Sequence, residues 1–244
     1  MMEDVIGKWV RDNGRLHFTL IDPEKQEPEA AGRLAAVAEE YGSDAIMVGG
    51  STIEGGIVDD TVRAVKTASR LPTILFPSTA AGVSTNSDYI FWMMLVNSNN
   101  RRFLVGEQVK AAIPFSKTNV KPIPMGYIVV STSGTPTEVE KVGEVDRIRD
   151  VDFEKAVSYA LASEYFGMHC VYLEAGSGAE KPVPAEMIRS VKDAVSVPVI
   201  VGGGIRSGGA ADTVVDAGAD VVVTGTIAEK DPLKLGEIIG AVKR

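Results

Sequence analysis

The chain has 244 residues, 45% of them hydrophobic, and a formal net charge of −8. That length supports one large core, and the acidic balance excludes the basic stripe of a nucleic-acid binder and argues against attachment to an anionic membrane by general electrostatics. The single cysteine, Cys170, excludes an internal disulfide framework and a cysteine-rich metal site.

Cys170 lies inside an apolar run and reads as a buried structural thiol rather than a nucleophile, which suits a reducing cytoplasm. The first segment, MMEDVIGKWVRDNG (1–14), is amphipathic and mixed in charge, unlike a signal peptide, and is a candidate for a subunit contact. The longest apolar run, YIFWMMLV (89–96), is too short to span a bilayer.

Eight apolar runs read as strands: 16–22, 44–50, 72–77, 89–96, 124–130, 169–175, 197–203 and 219–225. They are continuously apolar rather than alternating, as expected of parallel strands covered by helices, and eight is the barrel number. Between them, 27–42, 59–70, 152–167, 185–195 and 208–219 carry apolar residues at three- and four-residue spacing and often stop at glycine.

In chain order, strand one ends in LIDPEK (20–25), which leaves Asp22 at a strand end, either as an oxygen ligand or as the N-cap of the next helix. Lys25 follows as an anion-binding or a solvated lysine. Strand two ends in VGGST (48–52), where Ser51 and Thr52 add hydroxyls behind two glycines. After strand three, STAAGVSTNSD (78–88) is too short and too weakly periodic for a barrel helix. Trp92 and Phe103 follow as core aromatics or as walls of a groove. The polar stretch 131–152 after strand five is longer than a minimal loop and belongs at the site mouth or at a subunit contact.

Strand six runs into VYLEAGSGA (171–179). Side chains alternate along a strand, so Tyr172 and Glu174 share a side, and Gly176, Ser177 and Gly178 supply donors beyond it. Glu174 reads as a general base for a substrate hydroxyl or as half of a rim salt bridge. GGGIRSGG (202–209) after strand seven and TGTIAEKDP (224–232) after strand eight place backbone N–H groups before helices, the usual phosphate site of a (β/α)8 barrel. His17 and His169 have no metal-ligand spacing and read as core or rim histidines.

Taken together, LIDPEK, VGGST, VYLEAGSGA, VGGGIRS and VTGTI resemble the geranylgeranylglyceryl phosphate synthases of archaeal lipid synthesis and their bacterial heptaprenylglyceryl phosphate synthase relatives. The resemblance implies a single prenyltransferase domain over 1–244, an α/β modified TIM (β/α)8 barrel whose third helix is missing or replaced by irregular chain. It implies alkylation of the C3 hydroxyl of sn-glycerol 1-phosphate by geranylgeranyl diphosphate, with Mg2+ held by Asp22 and Ser51. Tyr172, Leu173, Glu174, Ala175, Gly176, Ser177, Gly178, Gly203, Gly204, Gly225 and Thr226 would line the glycerol phosphate site, with Glu174 as base. A cytoplasmic homo-oligomer, dimer or hexamer, is expected. The alternatives are a heptaprenyl donor and, more distantly, a flavin- or nucleotide-binding phosphate-site barrel.

Overall fold

The computed structural model describes residues 3–50 and 55–244. Ser51 and Thr52, the hydroxyls expected after strand two, lie outside the described residues. Strands β1 Leu16–Ile21, β2 Ala45–Val48, β3 Thr73–Leu75, β4 Tyr89–Leu95, β5 Lys121–Val129, β6 Cys170–Glu174, β7 Val199–Gly202 and β8 Val221–Thr224 form a closed barrel in sequence order. Neighbours pair in parallel, including β1 with β8.

The pleat divides each strand between two environments. Leu16 and Phe18 of β1 join Met47, Ile74, Phe91, Met125, Tyr172, Ile200 and Val223 in the barrel interior. Ile21, Ile46, Val48 and Leu75 instead face helices α2 Pro28–Tyr41 and α3 Gly55–Ala68. Both faces are dry, which is why the runs are apolar throughout rather than alternating. Burying each such large side chain contributes about 1.5–3 kcal/mol.

Helix α1, Val5–Asn13, is fixed by Asp4, whose carboxylate accepts the Gly7 N–H at 2.9 Å as an N-cap. Val5 and Ile6 are buried, and Trp9 makes edge contacts with Phe18 and Tyr89 at 6.1 and 5.4 Å between ring centroids. The apolar side of this segment therefore covers the barrel floor of its own chain.

No helix separates β3 from β4; the chain between them is irregular, as expected. A helix that the periodicity does not reveal follows β4, a π-helical turn at Arg102–Gly106 running into α4, Glu107–Phe115. Gly106, Pro114 and the exposed Val109 and Ile113 blur its pattern. The β5–β6 connection holds α5, Glu138–Gly143, before α6, Phe153–Tyr165; α7 Ala185–Ala194, α8 Gly208–Asp216, α9 Thr226–Lys230 and α10 Pro232–Val242 complete the outer layer. Among the described residues, no helix is long and apolar enough to cross a membrane.

Candidate functional site

One cavity of about 790 Å3 opens at the carboxyl ends of the strands, within the range of small-molecule sites. Register places Val129 of β5 beside Glu174 of β6 and Glu174 beside Gly202 of β7, so the carboxylate stands at the rim between two neighbours. Glu174 is 6% exposed and Tyr172, one pleat repeat below, 1%.

The partners of Glu174 are the Tyr172 hydroxyl and the Gly176 N–H, which donates to Oε1 at 2.6 Å. Burial pushes its carboxyl above the usual value; those two donors pull it back in part. Among the described residues, no lysine or arginine forms the rim salt bridge with Glu174. Burial and then the Glu174 charge push the Tyr172 and Tyr127 phenols well up. The Tyr172 ring packs against Phe76 and Tyr127 at 5.7 and 5.3 Å, a contact that sequence order does not reveal. Leu173 and Ala175 turn their side chains into the outer hydrophobic core behind this strand end, and they and Gly176 are not among the residues that line the cavity.

Backbone closes tightly around this pair. Gly202 lies against the Tyr172 hydroxyl, and a Cβ at Gly203 would come 2.5 Å from Glu174 Oε1, so side chains are excluded there. Gly203 and Gly204 have φ of +82° and +72°, which glycine adopts without strain. Arg206 Nη2 donates to the Gly178 and Ala179 carbonyls at 3.1 and 2.7 Å, tying the β6 and β7 loops together. Arg206 stands inside the quoted GGGIRSGG, but only the fold gives it this role. Ser177, Gly178, Gly203, Gly204, Gly225 and Thr226 all line the cavity, with Thr226 opening α9.

Across the mouth, Asp22 lines the same cavity. It does not cap α2, whose N-cap residue is Glu27; it accepts the Glu24 N–H at 3.1 Å in a tight turn instead. Lys25 Nζ lies 2.8 Å from Asp22 Oδ2, and a Cβ at Gly50 would lie 2.7 Å from Oδ1. Burial opposes the charge of Lys25, but the hydrogen bond and charge of Asp22, followed by Glu229 and Glu24, outweigh it and raise the ammonium. Glu229, half-buried on α9, accepts the Asp22 backbone N–H, and burial pushes its carboxyl up against the pull of Lys25. Glu229 was visible in TGTIAEKDP without any sign that it would meet Asp22.

Among the described residues, no three or more His, Cys, Asp or Glu side chains are grouped to hold a metal ion. His17 is buried between the Ser43 and Thr224 hydroxyls at 3.1 and 2.9 Å, outside the barrel interior, and His169, whose Nδ1 is buried without a hydrogen-bond partner among the described residues, does not line the cavity. Cys170 is buried, and burial raises its thiol.

From the polar end the cavity continues as an apolar groove past Phe76, Val83, Trp92, Phe103, Ala111 and Val139. Trp92 stacks on Phe115 at 5.0 Å and is partly buried, so it is both packing and wall. Ser78, Thr79 and Ala80 of the irregular β3–β4 segment line it, and the Ala80 N–H is held by Glu107 at 2.8 Å. The stretch after strand five reaches the mouth through Glu138, Val139 and Val142 of α5.

The PcrB family model matches residues 7–243. Geranylgeranylglyceryl phosphate synthase of Pyrococcus horikoshii is 51% identical over 220 residues, 88% of this chain and 84% of that protein. The synthase of Methanosarcina acetivorans is 44% identical over 247 residues, 99% of each chain. The crystal structure of (S)-3-O-geranylgeranylglyceryl phosphate synthase from Thermoplasma acidophilum in complex with substrate sn-glycerol-1-phosphate aligns with a TM-score of 0.92 and 42% identity, covering 99% of both chains. Every strand and every side chain of the cavity falls inside the matched span, and on that match the chain belongs to the PcrB family.

Proposed function

We propose that this chain is a phosphoglycerol geranylgeranyltransferase, acting as one domain over 1–244. It joins the C3 hydroxyl of sn-glycerol 1-phosphate to geranylgeranyl diphosphate, giving 3-O-geranylgeranyl-sn-glyceryl 1-phosphate and diphosphate in archaeal membrane lipid synthesis. The observation that carries this reading is a buried carboxylate, Glu174, standing between glycine loops suited to phosphate and a long apolar groove in one cavity. The relative crystallised with sn-glycerol-1-phosphate supports the polar half.

Gly203, Gly204, Gly225 and Thr226 hold the phosphate through backbone donors at the barrel's anion site. Tyr172 and the 176–178 loop orient the glycerol, and Glu174 accepts the proton of the C3 hydroxyl as its oxygen bonds to C1 of the prenyl chain. The allylic C–O bond breaks in the same event and its electron pair leaves with diphosphate. A carboxyl raised by burial is a stronger proton acceptor than an exposed one.

Asp22 fits a Mg2+ ion as a hard oxygen donor at the cavity wall, with phosphate oxygens and water completing the shell. Ser51 is its proposed companion. When bound, Mg2+ draws negative charge off the departing diphosphate. Lys25, already paired to Asp22, adds a second positive charge on that side.

A cytoplasmic homo-oligomer is part of this reading, and the exposed Val109 and Ile113 on α4, at 62% and 72%, favour a subunit contact there rather than at α1. The decisive experiment couples either glycerol phosphate enantiomer to C15, C20 and C35 diphosphates with and without Mg2+. Fastest turnover is expected with sn-glycerol 1-phosphate, the C20 donor and Mg2+. A preference for C35 would move the chain to the heptaprenyl activity, and no ether product with any donor would overturn the reading.

A further inference from the structure

The β5–β6 connection contains a buried carboxylate that the proposed reaction leaves unused. Glu140 is 6% exposed although it belongs to a helix of only 6 residues at the cavity mouth. Its Oε2 accepts the Thr137 N–H at 2.7 Å and the Thr137 hydroxyl at 2.9 Å, and its Oε1 accepts the Ser131 hydroxyl. Burying a carboxylate is unfavourable unless donors surround it, and here all three come from the loop it closes. One side chain thus ties the start of α5 to the end of β5.

What this knot immobilises is Thr137, and Thr137 lies directly over Gly176. A Cβ at Gly176 would sit 2.6 Å from Thr137 Cγ2 and 2.7 Å from Oγ1, so the two are packed with no space between them. Gly176 has φ of +97°, and its N–H is the group that donates to Glu174 Oε1. We propose that Thr137, locked by Glu140, is a positioning residue for the base, pressing the Gly176 amide onto Glu174 so that the carboxylate stays ionised and aimed. The inference rests on Glu174 being the base. The titratable groups facing Glu174 are Tyr172 on its own strand and Tyr127 on β5; the β7 side presents the backbone of Gly203.

The test is the pH profile of kcat/KM together with the amide proton resonance of Gly176. A hydrogen bond to the ionised form lowers a carboxyl pKa, so loosening it moves the acid limb to higher pH. Thr137→Ala is expected to raise that limb by about one pH unit, lowering kcat/KM on it about tenfold, and to shift the Gly176 amide upfield. Thr137→Val keeps the branched shape and the N–H bond to Glu140 but loses the hydroxyl bond, and is expected to restore both in part. Should Thr137→Ala fail to fold, Thr137→Ser, which loses only Cγ2, is expected to move both readouts the same way by less. An unmoved limb and amide in a folded variant would overturn the proposal, because a purely structural role lowers stability without touching either. Wild-type turnover in Glu174→Gln would instead remove the base assignment, while the Gly176 amide would still report whether Thr137 holds it.

Discussion

Glu174 combines two demands that conflict. Burial raises its carboxyl, which helps it take a proton but makes its ionised form unfavourable in the folded protein. Its contribution to stability is therefore negative at neutral pH and is relieved as pH falls through the raised folded value toward the unfolded one. Glu174→Gln removes the charge and keeps the shape. It is expected to lower kcat by about 10²–10⁴-fold, retain sn-glycerol 1-phosphate binding by calorimetry, and raise the melting temperature. A variant that is inactive and also less stable would contradict this assignment of cost. On the opposite wall, Asp22→Ala is expected to abolish the response of turnover to added Mg2+, read from a titration of rate against metal concentration. Lys25, freed of its partner, would leave that wall more positive.

Among the elements, the β3–β4 segment does what a barrel helix cannot, because irregular chain leaves the groove open beside β4. Glu107 on α4 holds this segment through Ala80 and is itself braced by Arg102 at 2.7 Å and Lys110 at 2.9 Å. Burial opposes the ionised form, but the Ala80 N–H, Lys110 and Arg102 outweigh it and bring the carboxyl down to about 2. A depressed carboxyl stabilises the fold above its unfolded value near 4.5, and that contribution disappears as pH falls toward about 2. Glu107→Gln should therefore cost about 1–3 kcal/mol at pH 7 by urea denaturation, and the difference from wild type should shrink steadily below pH 4.5. At the other end of the barrel, Trp9→Ala removes the ring that meets Phe18 and Tyr89. Trp9 is only partly buried, so a loss of about 2–4 kcal/mol is expected, with KM for both substrates unchanged.

At the scale of the molecule, acid sensitivity has an identifiable source outside the cavity. His17 is driven down to about 3 from 6.5, first by burial and then by the charge of Lys243. Its neutral ring joins Ser43 to Thr224, and Lys243 is held in turn by Asp44 at 2.6 Å, so the C-terminal helix is tied to β1. A histidine with a lowered folded value contributes stability that is complete above 6.5 and is lost as pH falls toward about 3. Urea midpoints at pH 7 and pH 4 should differ markedly in the wild type and much less in His17→Gln. An equal pH dependence in both would place the acid sensitivity elsewhere.

Strand number, parallel pairing and the missing third helix were legible along the chain because they follow from local pattern: continuous apolar runs need cover on both faces, and STAAGVSTNSD has no helical period. The meeting of Asp22, Glu174 and the paired glycine segments at one cavity was legible for the same reason, since each lies at a strand end and barrel closure brings strand ends together. Sequence spacing carries no information about which side chains meet across strands. Only the tertiary structure decided that Glu229 accepts the Asp22 backbone N–H, that α1 closes the floor, that Glu107 holds the groove wall, and that Thr137 lies on Gly176. Those contacts join residues far apart in the chain, and they exist only because the barrel has closed.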